Sequence, residues 1–152
     1  MDVDATKLIQ NLSSEFVERA LKVLKEKIKN KKPIETYLGA NVYILGDKGV
    51  GYVVLESNEE IIYFVKHESI RHNFLPLGRQ ILVWRKGRNP KASGFAMHVF
   101  FDYLLPKYKA LIADKEQTED GRAGLQYTLL KAFKKNLNVY FFDRRSIPVK
   151  LI

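Results

Sequence analysis

The chain has 152 residues, of which 46% are hydrophobic and 28% charged, a formal net charge of +9 and no cysteine. That size and mixture predict one soluble, globular domain over residues 1–152; the lack of cysteine excludes disulfides, thiolate metal sites and a cysteine nucleophile, and fits a cytoplasmic protein. No stretch approaches the roughly 20 apolar residues of a membrane helix, so no membrane partner is expected, and the positive balance points to an anionic one, nucleic acid or a phosphorylated cofactor.

In chain order, the acidic opening Met1-Asp2-Val3-Asp4 is unlike a signal peptide. Asp4, and then Ser13 or Ser14, are helix-capping residues. Ile9, Leu12, Phe16, Ala20, Val23 or Leu24, and Ile28 recur at helical spacing, which predicts an amphipathic helix over about residues 5–30. Its last third carries Lys22, Lys25, Lys27 and Lys29, followed by Lys31 and Lys32, against Glu26 alone. These lysines are either a solvated face or a nucleic-acid contact. Pro33 ends the helix.

The period then changes to that of strands. Residues 42–45, 51–55 and 61–65 are apolar runs separated by the turns Gly46-Asp47-Lys48-Gly49 and Ser57-Asn58-Glu59-Glu60. They predict a three-stranded antiparallel meander covered in part by helices. Residues 66–78, with Lys66, His67, Glu68, Arg71 and His72, read as a charged connection.

Residues 79–142 carry the pattern with most chemical content. A hydrophobic strand ends in Val83-Trp84-Arg85, and a basic loop with Lys86, Arg88 and Lys91 follows. The loop closes on the small residues Ala92, Ser93, Gly94 and Ala96, where backbone can approach a ligand closely. With no proline between Lys91 and Ala96, each amide there is expected to be available to an anion, beside the positive end of the next helix. That helix, residues 95–105, is apolar apart from His98 and Asp102, and Pro106 is expected to stop it. His98 and Asp102 lie four apart and share a face, as a structural pair or as a base with its orienting carboxylate. A strand over 109–114 ends in the carboxylates Asp114 and Glu116, where an α/β sheet opens to ligand. A helix over 121–134 offers Leu125, Leu129, Leu130, Ala132 and Phe133 to the core and also carries Tyr127; Asn136 fits its stop. Residues 137–142 predict a last strand, before a charged tail that ends apolar. The three histidines, His67, His72 and His98, show no metal-ligand spacing, and no metal is expected.

This order of elements resembles the GCN5-related N-acetyltransferase (GNAT) fold, in which an N-terminal helical segment and an antiparallel meander precede strand, pyrophosphate loop, helix, strand, helix and strand. Lys91-Ala92-Ser93-Gly94-Phe95-Ala96 is similar to that family's Gln/Arg-x-x-Gly-x-Gly/Ala loop, with lysine in the first place. The resemblance implies an α+β (mixed α/β) fold with a central, mostly antiparallel sheet flanked by helices. It implies acetyl-CoA, or another acyl-CoA, as co-substrate. Its pyrophosphate would lie on residues 91–96 and its pantetheine along Val83, Trp84 and Arg85. An amine acceptor (protein, small molecule or nucleic acid) would attack the thioester directly. Glu116, Asp114 and His98 are then the candidate bases and Tyr127 the candidate acid. The family's asparagine early in the last helix has no clear counterpart between Thr118 and Gly124. The alternative is a non-catalytic or degenerate relative that binds nucleic acid through Lys22, Lys25, Lys29, Lys86 and Arg88.

Overall fold

The computed structural model describes residues 14–46, 49–69, 78–108, 110–112, 119–141 and 149–151. Its elements are α1 (Ser14–Ile28), β1 (Glu35–Tyr37), β2 (Ala40–Gly46), β3 (Val50–Ser57), β4 (Glu60–Ser69) and β5 (Gly78–Arg85). After a 3₁₀ turn (Pro90–Ala92) comes a composite helix, α2, covering 95–108, then β6 (Ala110–Ile112), α3 (Glu119–Lys134), β7 (Val139–Phe141) and β8 (Val149–Leu151).

The sheet is a near-continuous meander. β1 to β6 lie side by side in chain order; every pairing is antiparallel except β5 with β6, which run parallel. Two-residue turns set the register. Leu38 and Gly39 between β1 and β2, and Asn58 and Glu59 between β3 and β4, all have positive φ. Positive φ at both central positions gives the turn whose twist matches a hairpin.

Alternation divides the strands between two cores. Val42, Val53, Leu55, Val65, Ile81 and Val83 face α2, which contributes Phe95, Val99, Phe100 and Leu104. Tyr43, Leu45, Val54, Phe64 and Trp84 face α1, which contributes Val17, Leu24 and Ile28. Each such large apolar side chain stabilises the fold by about 1.5–3 kcal/mol when fully buried. With a helix on each side, the meander has no wetted face in its middle, which is why its strands read as continuous apolar runs.

Several expectations need correction. The segment 66–78 is not all connection: β4 runs on to Ser69 and β5 begins at Gly78, so His67 is a strand residue, 4% exposed. Pro106 does not stop α2. The helix passes from α (Phe95–His98) to π (Val99–Leu104) and back to α (Leu105–Tyr108), with Leu105 N–H donating to Phe100 O. The wider π turn moves aside the carbonyls that a proline ring would strike.

α3 buries only part of the face expected of it. Ala132 is buried as expected and Leu129 partly so, but Leu130 and Phe133 are exposed and Thr128 is buried instead. The small side chains let α3 sit close to α2, with Thr128 Oγ1 3.1 Å from Met97 Sδ and Lys131 Nζ 5.2 Å from the centre of the Phe101 ring. The strand after α3 pairs with the chain's apolar end, β7 with β8, as a separate two-stranded ribbon. Residues 5–13 of the expected first helix lie outside the described residues, as do Leu125's side chain and residues 113–118.

Candidate anion-binding cleft

The geometry of the basic loop is set by its own polar groups. β5 ends at Arg85, Gly87 takes φ +56°, and Asn89 caps the 3₁₀ turn, its Oδ1 accepting from Lys91 N–H at 3.0 Å. Ala92 N–H donates to Asn89 O at 2.9 Å and Ser93 N–H to Pro90 O at 3.2 Å. Gly94 follows at φ +69°, a left-handed conformation that favours glycine, and α2 begins. The amides of Lys91, Ala92 and Ser93 are therefore consumed within the loop, contrary to expectation. Asn89 and Pro90, an N-cap followed by the residue best suited to a first helical position, build a turn of their own there. Among the described residues, none accepts from the amides of Gly94, Phe95, Ala96 or Met97. The usable amides begin at Gly94.

Beside Gly94 lies an open cleft of about 460 Å³, lined by Tyr63, Arg85, Arg88, Asn89 and Ser93 among others. Arg85 leaves the end of β5 on the same face as Tyr63, its pairing partner on β4. Arg88 is exposed and Arg85 half-buried. Lys86 pairs with Glu60, and Lys91 Nζ reaches Ser57 Oγ at 3.0 Å. Val83 and Trp84 are core residues, Trp84 stacked on Phe64 at 5.3 Å, so only their main chain could meet a ligand. Phe95 and Ala96 are buried at the start of α2. β5 pairs with β6 only from Gly78 to Gln80; from Ile81 to Trp84 its second edge has no strand partner among the described residues.

One side of the loop is held by a strand that the sequence did not reveal. Tyr37 of β1 donates its hydroxyl to Ser93 O, packs edge-on against Phe95 and stacks on His98 at 5.0 Å. Burial raises the Tyr37 phenol above its ordinary value, which keeps the proton on for that bond. His98 and Asp102 do meet, Nδ1 to Oδ2 at 2.6 Å, and Glu35 of β1 takes the other nitrogen at 3.0 Å. His98 is thereby a clasp between β1 and α2, and both of its nitrogens are already engaged. Glu35 and Tyr37 were missed because three residues of β1, between Pro33 and Gly39, make too short a pattern to stand out.

The remaining candidates do not join this group. Asp114 and Glu116 lie outside the described residues. Tyr127 is 65% exposed on α3 and does not line the cleft. Lys22 and Lys25 on α1 and Lys29 just after it are exposed, and α1 packs on the sheet face opposite to the cleft. They and Arg88 do not form one continuous footprint.

At the far end of β5, on the same face, Arg79 is 2% exposed. Its Nε donates to His67 Nδ1 at 3.1 Å, its Nη1 to Gly49 O at 3.3 Å, and its guanidinium stacks 4.4 Å from the Tyr108 ring centre. Burial, then the charges of Arg79 and Lys107, push the His67 imidazole down to about 4, so it is neutral and accepts from Arg79. Among the described residues no group of three His, Cys, Asp or Glu side chains is placed to hold a metal ion, and no helix is long and apolar enough to cross a membrane. Comparison of the chain with protein-family models, with curated proteins and with solved structures finds no match.

Proposed function

We propose that the cleft between Arg85 and Gly94 binds the diphosphate of an acyl-CoA, and that the protein is an N-acyltransferase moving an acetyl or other acyl group to an amine. The supporting observation is that Arg85, Arg88 and Gly94, whose amide has no acceptor among the described residues, line one cleft of about 460 Å³ at the start of a 14-residue helical run. Arginine forks suit phosphate oxygens, and helix-start amides add partial positive charge. The edge of Ile81 to Trp84, which no described strand pairs, offers main-chain groups to the amide-bearing arm of such a ligand. The acyl-CoA supplies the thioester; the chain must supply a base for the amine proton. Glu116 and then Asp114 remain the candidates, with His98 last because both its nitrogens are engaged, and Tyr127 is the candidate acid.

Isothermal calorimetry with acetyl-CoA tests this reading. Saturable binding is expected, weakened about tenfold or more by Arg88→Glu, a loss of at least about 1.4 kcal/mol. Arg88 is exposed, so the variant should fold normally. No binding, together with no rise in melting temperature, would overturn the proposal. A nucleic-acid reading predicts instead that an oligonucleotide binds with an affinity falling steeply in salt.

A further inference from the structure

The peptide between Ser93 and Gly94 stands at a fork. Ser93 has φ −59° and ψ 124°, and Gly94 has φ 69° and ψ 7°. These angles are those of a type II turn over residues 92–95. Rotating the central peptide alone by about 180° gives a type I turn, with Ser93 ψ at about −30° and Gly94 φ at about −90°. The ends of the turn would stay in place, with Ser93 N–H on Pro90 O at 3.2 Å and His98 N–H on Gly94 O at 3.1 Å. Glycine takes either sign of φ about as readily, so Gly94 does not itself choose between the two turns. The choice must come from a neighbour.

That neighbour is Tyr37, whose hydroxyl donates to Ser93 O. Its ring is fixed edge-on to Phe95 at 5.3 Å and stacked on His98 at 5.0 Å, and Glu35 on the same strand meets His98 Nε2 at 3.0 Å. The hydroxyl is thus delivered to a set point by side chains that are themselves held. In a trans peptide the carbonyl and the amide point in opposite directions. An oxygen held on Tyr37 therefore leaves Gly94 N–H pointing away from Tyr37. A second distance agrees: a Cβ on Gly94 would lie 3.2 Å from Tyr37 Oη, which puts Tyr37 on the carbonyl side of the turn. Ser93 and Gly94 line the cleft, and Tyr37 does not.

We infer that Tyr37 is a positioning residue for the cleft: its hydroxyl latches the Ser93–Gly94 peptide with the Gly94 amide towards the anion, and without it the turn flips and presents the Ser93 carbonyl there. A donor becomes an acceptor at one point while the rest of the fold stays as it is. The inference rests on the reading of the cleft as an acyl-CoA site, but the flip can be seen with no ligand present.

Tyr37→Phe removes the hydroxyl and keeps the ring, so the variant should fold. In the type II turn Ser93 Hα lies against Gly94 N–H; in the type I turn Ser93 N–H does. The nuclear Overhauser contact of Gly94 N–H is therefore expected to pass from Ser93 Hα to Ser93 N–H in Tyr37→Phe, with an unchanged spectrum elsewhere, and acetyl-CoA affinity by calorimetry to fall about tenfold. Gly94→Ala, which disfavours positive φ, should produce the same flip with Tyr37 present. The double variant should lose little more than either single one, because both act through one peptide. A Ser93 Hα contact retained in Tyr37→Phe would overturn the proposal, as would a flip that leaves acetyl-CoA affinity unchanged, or losses that add in the double variant. A wild-type protein that binds no acetyl-CoA, yet flips in Tyr37→Phe, would sink the acyl-CoA reading and leave the latch standing.

Discussion

Strand β5 carries two arginines on one face, six residues apart, and they have opposite fates. Arg79, at the start, is flanked by β4 and β6 and roofed by Tyr108, so the protein itself supplies its acceptors, the His67 ring and the Gly49 carbonyl. Arg85, at the end, has no β6 residue beside it among those described, and it lines an open cleft. The guanidinium that helps to hold the fold is enclosed; the one assigned to a ligand stands where strand pairing stops. Identical residues on one strand thus differ in burial according to whether neighbouring backbone closes over them, and the proposed binding role falls to the one left open.

Substitutions can break this contrast. Arg79→Ala is expected to have the largest effect, a loss of about 3–4 kcal/mol, because it removes buried packing and leaves His67 Nδ1 without its donor. Urea unfolding would measure it, and a loss as small as that of an exposed arginine would end the distinction. The acid limb comes next. His67 titrates at about 4 in the fold against about 6.5 unfolded. Between those values the unfolded chain takes the proton and the folded one does not. His67 thus contributes stability that is fully present above pH 6.5 and lost as pH falls towards 4, by up to about 3 kcal/mol. Replacing it with Asn should flatten that part of the stability–pH curve. Gly51→Ala should cost roughly 2 kcal/mol, since a Cβ there would overlap the His67 ring and push it off Arg79. Smallest in stability, and sharpest for the comparison, is Arg85→Gln. It should change folding by less than about 1 kcal/mol while weakening acetyl-CoA binding about tenfold. The reverse result would make Arg85 a structural residue like Arg79.

The sheet was largely legible in the sequence, the cleft only partly. Residues 42–45, 51–55 and 61–65 announced three strands because apolar runs and turn residues alternate at short range, and local pattern governs hairpins. β1 escaped because its turn uses Leu38 at positive φ, where a glycine or asparagine would have been the signal. With it went Tyr37 and Glu35, which grip the loop and His98 from more than 50 residues away in the chain. The small residues of the loop drew attention to Gly94, which takes a left-handed conformation at the start of α2. Which amides remain free depended on Asn89, whose side chain turns one stretch of the loop back on itself. On α3, spacing alone could not say which side faces inward, because the helix seats itself through Thr128 and Ala132 and leaves Tyr127, Leu130 and Phe133 in water. Lys86 and Lys91 look the same as Arg88 in composition, yet each is committed to a partner across the sheet.

The widened turns of α2 also fix an angular phase. A π stretch holds, in effect, one residue more than the α-helix it interrupts, so everything after Leu104 is turned by about 100° from where an unbroken helix would put it. Tyr108 meets Arg79 with that offset in place. Removing a single residue within 99–104 would let the segment tighten to ordinary α geometry, return Pro106 to a position it cannot occupy without a kink, and swing the aromatic roof off the buried guanidinium. The end of β5 that looks most rigid is in this sense set by a one-residue surplus in the helix above it.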